Sequence, residues 1–256
     1  MSESVKNSTP IAGIIARELN WPQNYVENVI RLLDEGNTVP FIARYRKEMH
    51  GTMDDQMIRA LADRLQYLRS LAERRDAVKK SIEEQGKLTD ELAAAIDSAA
   101  TLSEVEDLYR PYKQKRRTRA TVAREKGLEP LARLLFAQSQ DCPPPEETAR
   151  DYLDPDKGVE TVADAIQGAH DITAEWLSDD AAIRKALREH TLRQGKLVSK
   201  AATEEDSVYR LYYDFEQSIP RLQGHQILAI NRGEREGKLT VSIPEGSELL
   251  PMVSRA

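Results

Sequence analysis

Between Tyr109 and Lys126 the chain reads YRPYKQKRRTRATVAREK, eight Lys and Arg against one Glu. A guanidinium presents a flat fork of donors that matches a phosphate, and a tyrosine offers a flat face to an unpaired base. Lys113, Lys115, Arg116, Arg117 and Arg119 fall in a stretch expected to be irregular, with Tyr109 and Tyr112 just before it and Arg124 on a short helix after it. Cations interleaved with aromatics in this way fit a nucleic-acid contact. The same cations can equally tie the connector onto acidic helices of the same chain. The segment is +7 within a chain of formal net charge −6, so the other residues together carry −13. A body so acidic repels polyanions except where a local cation cluster admits them, and it also supplies internal partners for that cluster.

Other candidates are weaker. Arg44, Arg46 and Lys47 stand beside Phe41 and Tyr45 in FIARYRKEMHG. The expectation there is a packed turn, with Phe41 and Ile42 in the core and Arg44 paired internally. The glycines of NRGEREG, Asn231–Gly237, lack the spacing of a phosphate loop, so Gly233 is expected to stop a helix before a strand. His50, His170, His190 and His225 are scattered without a metal-ligand spacing, and His225 is expected to cap a helix or join a core. Asp179-Asp180 and Glu204-Glu205-Asp206 suit the starts of helices, where the macrodipole favours negative charge. No nucleophile–base pair stands out. The residues therefore point away from an enzyme, with no cofactor and no metal site.

The elements that must position these residues are mostly helical. Ala, Leu, Glu, Lys, Arg and Gln abound and only 5% of residues are aromatic, a bias towards helix. Thr9-Pro10 and Pro22 open two helices, Gly36 stops the second, and Gly51 ends the turn and short helix that follow. From about Asp54 to Gln85 no Pro or Gly interrupts a stripe of Ile58, Leu61, Leu65, Leu68, Ala72, Val78 and Ile82, which predicts one long helix bridging subdomains. Gly86 and Thr89 mark a stop and restart, and Ser103 with Glu106 has the pattern of a capping box. After the connector, Thr121–Lys126 and a helix opened by Pro130 form a helix-turn-helix-like pair. Glu129 at the start of the second helix makes it a poor duplex reader, so a structural pair is favoured.

The run SQDCPPPEET is expected to be a surface loop and sets the domain boundary, giving regions 1–138 and 139–256. Beyond it, helices are expected near Val162–Trp176, Asp179–Arg193, Asp206–Glu216 and Pro220–Arg232. Two short strands, KLVSK and KLTVSI, complete a mainly α fold with a two-stranded β element. Cys142 is the only cysteine, which rules out an intrachain disulfide and fits a reducing compartment. No apolar leader or spanning run is present, so a soluble cytoplasmic protein with no membrane partner is expected.

Four stretches, NTVPFIARYRKE, EQGKLT, EDLYRPYKQKRRTRATVAREKGLEPLA and LAINRGEREGKLTVSI, carry a resemblance in order along the chain. They are similar to the N-terminal region of the bacterial Tex family of transcription accessory proteins. The family pattern has Leu where Arg110 stands, Pro where Gln114 stands, and Ser-His-Arg where Gly224-His225-Gln226 stands. The resemblance implies a nucleic-acid-binding, transcription-associated role, with RNA preferred to DNA and the transcription or translation machinery as protein partner. It also implies a fragment whose full-length counterparts continue into a YqgF-type RNase H-like domain, a helix-hairpin-helix module and an OB-fold RNA-binding domain. Those domains would then be partners for the long helix. The rival expectation is a structural scaffold or protein-docking module with no nucleic-acid contact of its own.

Overall fold

In a computed structural model, residues 8–114, 116–139, 143–203, 205–244 and 249–254 are described. The chain divides into two compact units, residues 1–105 and 106–256. The division falls within a helix, well before the 138/139 boundary suggested by the proline-rich run.

The first unit is helical. It contains α1 (Ser8–Leu19), α2 (Gln23–Asp34), α3 (Val39–Tyr45), α4 (Lys47–His50), α5 (Asp55–Glu83), α6 (Asp90–Ser98) and the start of α7 (Leu102–Tyr109). The long helix α5 has 29 residues, about 44 Å at 1.5 Å per residue. Asp54 caps it by accepting a hydrogen bond from the Met57 amide, 2.8 Å. Its buried stripe is Ile58, Leu61, Leu65, Leu68, Leu71, Val78 and Ile82. It lies wholly within the first unit, which corrects the expectation of a helix bridging subdomains. Ile11, Ile15, Val26, Val29, Ile30 and Ile42 are also buried in this unit. The capping box before α7 is Thr101 with Glu104: the Thr101 hydroxyl accepts from the Glu104 amide and the Glu104 carboxylate accepts from the Thr101 amide, both 3.2 Å. The box therefore starts two residues earlier than the Ser103–Glu106 pattern suggested.

The second unit holds α8 (Arg119–Glu125), α9 (Glu129–Ala137), a single turn α10 (Pro145–Thr148), α11 (Val162–Asp179) and α12 (Ala181–Gln194). Strands β1 (Lys196–Ala201) and β2 (Asp214–Ser218), then α13 (Gly224–Arg235), β3 (Leu239–Ser242) and α14 (Leu249–Val253) follow. One core joins Ala120, Ala123, Leu128, Leu131 and Ala132 to Ala149, Val159, Ala165, Ala169 and Ile172. Residues on both sides of the 138/139 boundary thus share one apolar interior, so no packing gap follows the prolines. Ala149, straight after the PPPEET run, is itself fully buried.

The sheet has three strands rather than two, in the order β2-β1-β3, all antiparallel. The pairing of β1 with β3 matches the two strands anticipated from sequence. The extra strand, β2, occupies part of the expected Asp206–Glu216 helix. Ser199↔Phe215 and Val198↔Glu216 pair across it, so tertiary pairing overrides a weak helical pattern. Gly233 does not end α13. It is buried inside the helix, where a Cβ would meet Leu239 Cδ1 at 2.6 Å, so its role is close packing against β3. Gly237, with φ +69°, makes the turn instead.

Candidate nucleic-acid interface

The connector leaves α7 through a tight turn at Arg110–Tyr112, where Pro111 breaks the helix, and is extended at Lys113. Thr118 then starts α8: its hydroxyl accepts from the Thr121 amide, 3.1 Å, and donates to Glu175 Oε2, 3.0 Å. Gly127, at φ +84°, turns the chain into α9, with Pro130 in the first helical turn. Both α8 and α9 pack on α11. Gly168 makes that approach feasible, because a Cβ there would lie 2.3 Å from Leu128 Cδ1 and 3.3 Å from Ala123 Cβ.

This packing brings the carboxylates of α11 under the connector. Arg124 bonds Glu175 at 2.7 Å and lies 3.8 Å from Glu129. Arg110 meets Asp179 at 3.1 Å. Arg119 is 3.7 Å from Asp171, yet its side chain is 86% exposed. Arg117 pairs with Glu125 at 2.7 Å with both side chains well exposed. Four of the eight cations of the segment therefore face a carboxylate, and of these only Arg124 is itself mostly withdrawn from solvent. Lys126 donates to the Gly158 carbonyl, 2.7 Å. Lys113 and Arg116 are exposed and have no side-chain partner among the described residues. Lys115 lies outside the described residues. Tyr109 and Tyr112 are half-buried, and each is already engaged in another contact.

Two open grooves flank these residues. One, about 410 Å³, has Arg117, Arg119 and Lys126 on one side and Asp164 and Asp171 on the other, with Gly168 at its base. The second, about 610 Å³, sets Lys113 and Arg124 against Glu175 and Asp179. Both are mixed in sign, so the surface is much less positive than the bare +7 of the segment. The start of α9 is not a base-reading end. Glu129 occupies it and receives Arg133 at 2.6 Å. Arg133 also covers the Trp176 ring at 5.5 Å, and Phe136 meets that ring edge-on.

The second unit also holds an ion cluster between α7 and α12 that local sequence patterns do not announce. Asp107, buried on α7, accepts from Arg184 Nε at 2.7 Å and from Arg188, both on α12. Burial pushes the Asp107 carboxyl up, but the hydrogen bonds from Arg188 and Arg184, with their charge, outweigh it and hold the group below the usual carboxylate range. The legible signal was Arg184 and Arg188 at helical i,i+4 spacing, which places two guanidiniums on one face. His225 is exposed, not a cap or core member; Gln223 and Gln226 form the capping box at that helix start. Among the described residues no helix is long and apolar enough to cross a membrane, and no three His, Cys, Asp or Glu residues are grouped to hold a metal ion.

The family model for the Tex-like protein N-terminal domain matches residues 9–83, and that for the Tex central region matches residues 140–252. The connector falls between the two matched stretches. Protein YhgF of Escherichia coli (strain K12) is 47% identical over 233 residues, covering 90% of this chain and 30% of that protein. The transcriptional accessory protein Tex of Neisseria gonorrhoeae is 40% identical over 250 residues, covering 96% of this chain and 32% of that protein. The S1 RNA-binding domain-containing protein 1 of Homo sapiens is 32% identical over 252 residues, 94% of this chain and 25% of that protein. The chain spans no more than about a third of the length of these curated relatives.

Proposed function

The chain belongs to the Tex family, and on that premise we propose that it is a non-catalytic helical module of a transcription-associated protein that binds nucleic acid, RNA in preference to DNA, in the cytoplasm. Phosphates meet Lys113, Arg116, Arg117 and Arg119 on the connector, while Arg124 is a framework residue. Two relatives bear names that mention transcription or RNA binding, which supports the class of ligand. The observation that carries the reading is the exposure of Lys113 and Arg116, neither with a side-chain partner among the described residues, beside Arg117, whose pair stands in solvent, and Arg119, whose guanidinium is exposed although Asp171 is mostly buried. Components of the transcription or translation machinery, and the further length that the relatives possess, are the protein partners in this reading.

The test is a salt-titrated binding assay with single-stranded RNA and DNA. Four neutralised phosphates of a single strand give a slope of log affinity against log salt near −3, at roughly 0.7 per contact. Replacing Arg116 and Arg117 by Gln lowers the slope magnitude by about 1.4 at an unchanged melting temperature. Binding that ignores salt, or a double variant with wild-type affinity, rejects the connector as the contact. The second reading, a scaffold for protein docking, is favoured by Arg110 and Arg124, whose carboxylate partners Asp179 and Glu175 are largely buried. Under it, the Arg116 and Arg117 replacements leave nucleic-acid affinity untouched.

A further inference from the structure

The first unit carries a second basic and aromatic cluster, and its cations are unspent. In α3, Ile42 is fully buried, which turns the opposite face of this short helix outward. Phe41 and Tyr45 are one helical turn apart on that helix, their ring centroids 5.4 Å from each other. Arg46 leaves the helix at φ −127° and lays its guanidinium 5.4 Å from the Phe41 ring centroid. Tyr45, Phe41 and Arg46 are thus three flat groups in succession, and Tyr45 is 64% exposed. Arg44 and Lys47 flank them, both exposed. Among the described residues none of Arg44, Arg46 and Lys47 has a carboxylate partner or a side-chain hydrogen bond. The internal pairing expected of Arg44 is not found among those residues. One exposed carboxylate, Glu48, follows Lys47. Asn28 donates to the Met49 carbonyl at 3.1 Å and accepts from Arg31 at 3.3 Å, which holds a further cation close to the same segment.

A large aromatic ring left in water beside guanidiniums with no carboxylate partner among the described residues suits an occupant that offers both a π-face and negative charge. An acidic peptide offers the charge, and a π-face only where an aromatic side chain happens to fall beside it. A single nucleic-acid strand offers both at short intervals, because each base carries a phosphate. We propose that the Phe41–Lys47 turn is a binding site for single-stranded nucleic acid, with a base stacked on Tyr45 and phosphates held by Arg44, Arg46 and Lys47. The site is independent of the connector and stands even if the connector binds nothing.

The whole chain is titrated with a fluorescent oligouridylate of about 12 nucleotides, its deoxythymidylate counterpart and a duplex of the same length, over a range of salt. Tyr45→Ala weakens single-strand binding about tenfold, and Tyr45→Phe restores it, at an unchanged melting temperature. Replacing Arg44, Arg46 and Lys47 by Gln lowers the salt slope by about 2, at roughly 0.7 per contact. The Arg116 and Arg117 double variant is titrated in parallel. If it loses binding while every turn variant behaves as wild type, the turn is overturned and the connector stands. If the turn variants lose binding and the double variant does not, the connector is overturned instead. Tyr45→Ala with no effect, together with displacement of the oligonucleotide by polyglutamate at equal charge, makes the turn an acidic-protein surface and overturns the proposal. So does wild-type protein that binds none of the three probes.

Discussion

Two arginine-rich stretches of this molecule look alike as sequence and differ in what the fold leaves available. The connector of the second unit has more cations than the Phe41–Lys47 turn of the first, yet α11 supplies Asp171, Glu175 and Asp179 to three of them. The turn has three cations and no such neighbour among the described residues. Charge counted along a chain therefore overstates a binding surface wherever an acidic helix packs beneath it. The binding-relevant quantity is the number of cations whose counter-charge is water. By that measure the short turn rivals the long connector.

The largest effect expected tests whether the connector rests on a rigid base. Asp107→Ala strands two guanidiniums beside a buried cavity, and breaking a buried ion cluster costs about 3 kcal/mol at the low end of the usual range, since Arg184 and Arg188 keep partial access to water. Urea denaturation of the second unit's transition measures it. The pH dependence has a definite sign. The folded-state value of Asp107 lies below its unfolded value, which is near 3.9. Its contribution is therefore complete above that unfolded value and disappears as pH falls through the lower folded one. Asp107→Asn should flatten the acid limb of stability. A variant that melts as wild type at pH 7 would show that α12 contributes nothing to the connector's anchorage.

A smaller effect separates framework from contact within the connector. Arg124 is only one-third exposed and Glu175 half as much, so their bond lies in a partly dry setting. Arg124→Gln is expected to cost about 1.5 kcal/mol, typical of a charged hydrogen bond, and to leave oligonucleotide affinity unchanged. If affinity falls as far as in the Arg116 and Arg117 double variant, an arginine held by a buried carboxylate acts like solvent-exposed ones and the contrast between the two stretches loses its meaning.

How much of this was legible beforehand follows from range. Local signals served well: Thr89 and Asp180 cap the helices that follow them, because a cap needs only three residues. The uninterrupted α5 stripe was legible for the same reason. Strand β2 was not, since Tyr212, Tyr213 and Phe215 satisfy a helical spacing as well as a strand, and only the pairing with β1 decides. Gly233 was misplaced because its reason is Leu239 across the packing interface, not its own turn. The fate of the connector's arginines was illegible in kind: Glu175 is 51 residues from Arg124 and Asp179 is 69 from Arg110. The turn is illegible for the opposite reason: its spacing predicts an internal partner for Arg44, and none is present among the described residues.

The smallest effect expected is the sharpest test of the counter-charge argument. Arg119 is 86% exposed and lies 3.7 Å from Asp171, a pair in which Coulomb attraction is weak and the side chain keeps most of its freedom. Asp171→Asn should therefore change stability by less than about 0.5 kcal/mol. Yet it removes the negative charge closest to that guanidinium among the described residues, one of two carboxylates on the wall of the adjoining groove. If available cations set the binding, affinity for a single strand rises about twofold at low salt, and the slope of log affinity against log salt steepens by at most ~0.7, one added contact. The gain should vanish above about 0.5 M salt, where the Debye length shrinks to a few ångströms. The same carboxylate removed with no gain in affinity means that Arg119 never meets a phosphate. The connector's contribution then falls to Lys113, Arg116 and Arg117, and the turn in the first unit becomes the stronger of the two sites.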